Sequence, residues 1–351
     1  MQQLLKIKPL STFRFAIAVF VLFPSISWSQ IDYRYTQFYQ NPLPVNPAFS
    51  GIEDFVDIKI GYRTQWAGFD NSPTHLFASA NMAFKLSGNN KYKHRGVRLF
   101  EAEAYSSIER DEGFGYRKSK RHGLGFYVMQ NSDGGFSNTA AFLNYAYHIN
   151  LTNQLVWSVG TAIGYEFNKF DPSGISVLNP DLDATYQAYL RGDNQKSSVN
   201  VNLGTVIYHK QFYLGYSAIS ATKILLPGSN TTFNELPNPI THNIQFGFRY
   251  RKWRYGYLIS PYLMVNLRKD QPVEVIGALR MRYQDKLWGG LQYTLLGAVG
   301  LSAGFYLTPN IALNYGYEFP TSKISRVTAG SHEVILAFKL KNKNFSRAYL
   351  Y

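Results

Sequence analysis

The sequence predicts an all-β protein: a transmembrane antiparallel β-barrel of about fourteen strands with a proline-rich, plug-like N-terminal segment. Three observations carry that expectation. Segments of about ten residues that alternate apolar and polar side chains fill the chain from Phe55 to Leu340, and a period of two is the signature of a strand with two unlike faces. The apolar face is crowded with aromatics (Tyr 27, Phe 25, 16% aromatic against 17% charged), as suits strands whose outer face meets lipid between interfacial girdles. No stretch approaches the ~20 continuous apolar residues that a spanning helix needs, so a membrane location implies strands.

Taken in order, residues 1–29 form the first element. Lys6, Lys8 and Arg14 make a basic start without an acid, and Phe15–Phe23 is a short apolar core. Ser27-Trp28-Ser29 then offers small residues for cleavage before Gln30, the pattern of a secretory signal peptide. Export and a barrel together place the chain in the outer membrane of a Gram-negative bacterium, with outer-membrane lipid as its first partner.

Residues 30–53 form the lead. Pro42, Pro44 and Pro47 exclude it from the interior of a sheet, because proline fixes φ and has no N–H to donate. The Asn41-Pro42 and Asn46-Pro47 pairs are turn formers, and Gly51 permits a backbone angle that other residues resist. Such a lead packs at the barrel's mouth or folds into its lumen. A structural plug accounts for every residue in it, and contact with a partner is the alternative.

The barrel occupies residues 54–340. Strands are expected over Phe55–Tyr62, Thr74–Phe84, Arg121–Gln130, Asn138–Asn150, Gln154–Lys169, Ser197–Tyr208 and Phe212–Thr222. The second half follows with Thr241–Tyr250, Tyr255–Leu267, Pro272–Tyr283, Lys286–Leu295, Ala298–Leu307, Asn310–Phe319 and Ser331–Leu340. With both termini periplasmic, the odd connections face outward and should be long. Arg63–Pro73, Asn131–Ser137, Phe170–Lys196, Lys223–Ile240 and Pro320–Gly330 fit, and tight links such as Gln284–Asp285 alternate with them. The exception is Lys85–Lys120, whose nine Lys/Arg and five acids read as a solvated insertion or a docking surface for periplasmic machinery. A stretch within it, Arg98–Tyr105, could add a strand. Residues 341–351 are a short polar-aromatic tail.

Chemistry is scarce. There is no cysteine, which removes disulfides, thiol catalysis and cysteine metal sites. The seven histidines show no metal-ligand spacing, and Asp181, Asp183 and Asp193 lack the spacing of a calcium loop. No catalytic, cofactor or nucleic-acid motif is present. Subtracting Lys6, Lys8 and Arg14 from the formal +14 leaves +11 for an exported chain. By alternation Arg249, Arg251, Arg280, Arg282 and Lys339 point into the lumen with Glu274, Glu318 and Glu333, because charges avoid the lipid face. They read as an inner ion-pair network or as the seat of an anionic ligand.

Two blocks carry a resemblance. Tyr35-Thr36-Gln37-Phe38-Tyr39-Gln40-Asn41-Pro42-Leu43-Pro44-Val45-Asn46-Pro47-Ala48-Phe49-Ser50-Gly51, followed by Tyr62-Arg63-Thr64-Gln65-Trp66 and Pro73-Thr74, resembles the opening of PorP/SprF proteins of type IX secretion and gliding. Tyr315-Gly316-Tyr317-Glu318-Phe319-Pro320-Thr321-Ser322-Lys323 with Gly330-Ser331-His332-Glu333 is similar to that family's close. Weaker echoes are Gly123-Leu124-Gly125 and Tyr145-Ala146-Tyr147-His148. Two departures are the length of Lys85–Lys120 and Glu318 where the family usually has Asp.

The resemblance implies a non-enzymatic component that assists secretion or surface anchoring of a cargo protein with a type IX C-terminal sorting domain, alongside other components of that system. Signature and contact candidates are Asn41, Pro42, Asn46, Pro47, Gly51, Arg63, Gln65, Trp66, Thr321, Ser322, Lys323, His332 and Glu333. Arg63, Gln65 and Trp66 are expected at the outer rim, where Trp also serves as an interface anchor. The rival reading is a channel for small hydrophobic or anionic solutes.

Overall fold

The computed structural model describes residues 36–53, 55–69, 71–84, 121–152, 154–171, 179, 181–183, 186–187, 194–209, 211–226, 240–252, 256–269, 271–284, 286–295, 297–308 and 310–340, without the side chains of Arg251 and Lys252. The expected leader, the Lys85–Lys120 connection, the tail, Asp193 and most of the connections over 172–193 and 227–239 lie outside the described residues.

The strands are β1 (Val56–Thr64), β2 (Thr74–Phe84), β3 (Arg121–Asp133), β4 (Phe136–Asn150), β5 (Val156–Phe170), β6 (Gln195–Tyr208) and β7 (Phe212–Leu225). They continue with β8 (Thr241–Phe248), β9 (Tyr250–Lys252), β10 (Tyr257–Arg268), β11 (Glu274–Tyr283), β12 (Leu287–Thr294), β13 (Ala298–Thr308), β14 (Ile311–Pro320) and β15 (Ser331–Leu340). Apart from β8 and β9, which both lie along β10, each pairs antiparallel with its chain neighbour, and β1 pairs β15 from Val56↔Leu340 to Thr64↔His332. The sheet therefore closes. β8 and β9 are two pieces of one strand along β10, so the wall is a closed 14-strand barrel. β2 pairs β3 directly along its length, and the extra strand considered at Arg98–Tyr105 lies outside the described residues.

Three expectations need correction. The eighth strand breaks at Arg249, whose N–H goes to Gln211 O at 2.7 Å. The β10 register places Pro261 opposite the gap, and proline has no N–H for a ladder. The loop expected at Asn131–Ser137 is a tight hairpin, since β3 and β4 run on to Asp133 and Phe136 and Gly134 turns the chain at φ 55°. β7 extends past Thr222 to Leu225.

The alternation is plain in β5. Val156, Ser158, Gly160, Ala162 and Gly164 are buried, while Trp157, Val159, Ile163 and Tyr165 face out. Outward side chains elsewhere include Leu143, Leu203, Leu214, Leu291, Leu301 and Leu307, all at least half exposed. So continuous an apolar belt has no place in water and matches the hydrocarbon layer. No helix among the described residues is long and apolar enough to cross a membrane.

Candidate functional site

The lumen is occupied by the lead. From Thr36 to Glu53 every residue is buried or half-buried. Its backbone folds on itself through turns: Gln40 N–H to Gln37 O, Asn46 N–H to Pro42 O, and a 3-10 turn over Pro47–Phe49. The last two follow Asn41-Pro42 and Asn46-Pro47, pairs that favour turns. Thr36 lies near the end of β1 where the β1–β2 connection begins, and Gly51 lies near the end where the chain enters β1. The segment thus runs most of the barrel's length inside it.

Asn46 is the hub. Its Oδ1 accepts from Ala48 N–H at 2.9 Å, which caps the 3-10 turn. That fixes the amide's orientation, so Nδ2 donates among Gln245 Oε1, Tyr216 O and Thr205 O at 3.0, 3.2 and 3.3 Å. Wall side chains hold the neighbouring carbonyls: Ser217 Oγ donates to Val45 O at 2.6 Å and Ser158 Oγ to Ala48 O at 2.7 Å. His148 binds Ser50 O through Nε2 at 2.8 Å and Tyr208 OH through Nδ1 at 3.1 Å. Apolar contacts complete the fit. Tyr39 stacks on Tyr262 at 4.9 Å, with Trp288 at its edge, Phe49 meets Tyr213 edge-on, and Leu43 packs among Tyr127, Phe142 and Ala162.

The wall is cut to receive this backbone. A Cβ on Gly123 would lie 1.9 Å from Ser50 O, and one on Gly204 would lie 2.1 Å from Asn46 Oδ1. Gly51 itself sits at φ 66° against Gly123 Cα.

A second feature pins the segment at the closing seam. Glu333 on β15 accepts the backbone N–H groups of Thr36 and Gln37 at 2.7 and 3.0 Å. Arg63 on β1 reaches Glu318 on β14 at 3.0 Å, Glu333 at 3.8 Å, and the Thr36 hydroxyl. The first strand, the last two and the lead meet in this one buried knot. Arg63, expected at the rim, is 1% exposed and faces the lumen.

The other candidates separate. Asn41 Oδ1 accepts from Ser79 Oγ at 3.2 Å inside the lumen. Gln65 and Trp66 do lie at the rim, where Trp66 adopts φ 52° and donates its N–H to Ser331 Oγ at 3.2 Å. Ala67 and the Ala329–Gly330 backbone exchange two 2.7 Å bonds, which zips the first and last rim connections together. Thr321, Ser322 and Lys323 are exposed there, with Lys323 in a short turn that ends at Arg326. His332 faces outward, with its Nδ1 2.7 Å from Tyr315 OH.

Among the expected lumen charges, Arg249, Arg280, Arg282, Lys339 and Glu333 are buried, Glu318 and Glu274 are half-buried, and Arg251 lacks a described side chain. Pairing is more varied than a simple network. Arg280 lies over the Trp288 ring at 4.9 Å, and Lys339 over Phe55 and Tyr306 at 5.4 Å. Glu274 accepts from Asn266 at 2.9 Å. Sequence reasoning missed Asp57 and Lys59, which pair with each other, and the upper-lumen cluster of Glu166, Lys223, Asn138 and Asn168. The polar side of the β1 and β5 alternation was the available signal. Among the described residues no group of His, Asp and Glu could hold a metal ion. Asp183 accepts the Tyr186 N–H at 2.9 Å.

Three solved structures are similar in fold. The toluene transporter TbuX of Ralstonia pickettii is 8% identical over 85% of this chain and 92% of its own, with a TM-score of 0.47. The outer membrane protein Omp33 of Acinetobacter baumannii is 8% identical over 83% and 99%, at 0.42. The CymD monoaromatic hydrocarbon channel is 11% identical over 88% and 94%, at 0.45. Likenesses this distant carry no argument about function. No curated protein matches the sequence. The family model for the type IX secretion system membrane protein PorP/SprF matches residues 27–338. With the opening and closing blocks inside that match and a closed barrel around them, the chain belongs to the PorP/SprF family of type IX secretion outer-membrane proteins.

Proposed function

We propose that this barrel is a non-enzymatic partner of an exported cargo protein with a type IX C-terminal sorting domain, and that it assists the cargo's secretion or surface anchoring through its outer rim. The observation that carries the reading is the lead's position. A lumen filled by a segment held at Asn46, Ser50 and Thr36 suits a scaffold better than a passage for solutes. A rigid barrel then presents its loops, where binding residues commonly sit. The rim connections Arg63–Pro73, Phe170–Lys196, Lys223–Ile240 and Pro320–Gly330 form the contact set, with both termini periplasmic and the leader removed before Gln30.

The test is gentle extraction of the tagged protein from its own outer membrane, followed by mass spectrometry of what co-purifies. A sorting-domain protein at near one-to-one ratio, lost when the rim connections are shortened, is the expected result. A barrel that emerges alone from cells making abundant cargo, and conducts ions in a planar bilayer, would replace this reading with the channel. N-terminal sequencing of the same sample should begin at Gln30.

A further inference from the structure

The β6–β7 hairpin outgrows its neighbour. β7 pairs β8 only from Phe212↔Phe248 to Ile219↔Thr241, yet it continues on β6 through Thr222↔Val201, Lys223↔Asn200, Ile224↔Val199 and Leu225↔Ser198. A bulge separates the two stretches. Ser220 takes φ 56° and gives its N–H to Asn202 Oδ1 at 2.8 Å, so the strand turns away from β8 there. Leu226 N–H bonds Ser197 O at 3.0 Å. Because bonding alternates along an antiparallel pair, Ile224 and Thr222 also face β6, and the N–H and C=O groups of Lys223 and Leu225 point the other way. Among the described residues, nothing bonds to that side.

Edges of this kind are normally guarded by a proline or a projecting charge. Here the nearest charge is disarmed: Lys223 Nζ turns inward to Glu166 at 3.2 Å. The outward side chain, Ile224, is 56% exposed. From this geometry we propose that the β7 extension is a strand-addition site, and that an extended segment of the exported partner polypeptide pairs with Lys223 and Leu225. The inference rests on the proposed function and adds the mode of contact. The partner strand continues the existing β6–β7 ladder, with an apolar residue beside Ile224 and a carboxylate or amide on the face where Lys196 and Lys223 stand against Glu166. A second copy of this chain is a poor occupant. A two-fold axis along the membrane normal, the commonest relation between two copies, would set equal residues at equal depth with N–H facing N–H.

The experiment places photoreactive benzoylphenylalanine at Leu225, and as a control at the lipid-facing Leu263, in the full chain in its own cells. Two variants accompany it. Leu225→Pro removes the outward N–H without removing a bond to β6, and Ile224→Lys restores a guard. The expected result is a crosslink from position 225 alone to one segment of the sorting-domain cargo. Cargo recovery should fall at least tenfold in both variants, while the barrels stay folded. Full recovery in both variants, or a crosslink returning to this chain, overturns the strand-addition site and leaves the proposed function standing. No cargo on the wild-type barrel overturns the proposed function and this inference with it.

Discussion

Asn46 shows how much a single side chain can hold. Its one acceptor caps a turn and its donor group is shared among three oxygens from different strands. Asn46→Ala removes a cap and leaves buried acceptors unpaired, and should cost about 2–4 kcal/mol in denaturant unfolding of the detergent-solubilised barrel. Asn46→Asp should be worse than Ala despite its similar shape, because it aims a carboxylate at three oxygens. Arg63 is the second such residue. Arg63→Ala strands Glu333 and Glu318 in a buried site and should cost about 3–5 kcal/mol. Arg63→Lys should not rescue it, since a single ammonium cannot span three acceptors as a guanidinium fork does. Lysine matching arginine in the same unfolding measurement would show that charge alone, and not geometry, holds the knot.

At the scale of elements, the strands and the lead are shaped to each other. Small residues face inward along the middle of β5 because the lead's backbone lies against them; a Cβ on Gly160 would be 2.5 Å from Ala48 N. Gly204→Val should therefore push the lead off the wall without breaking the β5–β6 ladder. The expected readout is chymotryptic cleavage after Phe38 or Tyr39, which the wild-type barrel should resist. Equal resistance would mean that the wall yields instead. Element by element, much of this was legible. β2 and β15 match their expected bounds, and the Asn-Pro turns are where they belong. The hairpin at Gly134 and the extension of β7 were not, because strand ends depend on what the neighbouring strand offers. A period of two cannot report that.

The whole molecule is a closed barrel whose seam and lumen are joined. The lead is fastened to β14, β15 and β1 at the knot and to β6, β7 and β8 at Asn46, so it ties opposite parts of the ring. Deleting residues 36–52 should still give an inserted barrel, since the ladder closes without them. It should turn a protein with background conductance into an ohmic pore in planar bilayers. A deletion that stays silent would show that the rim connections seal the lumen by themselves.

What the sequence alone determined is the wall: strands, their number, their two faces and the membrane they fit. Each strand's period is written in its own ten residues, and lipid on one side and a polar interior on the other select it locally. The family resemblance was equally local, being carried by two short blocks. Only the tertiary structure decided where the lead goes, that Arg63 faces inward to a carboxylate at position 333, and that among the described residues nothing pairs with one side of the end of β7. The seam contact exists only once closure has brought the first strand beside the last. The lead's place depends on oxygens of β6, β7 and β8 far along the chain, and that side of β7 depends on where β8 begins.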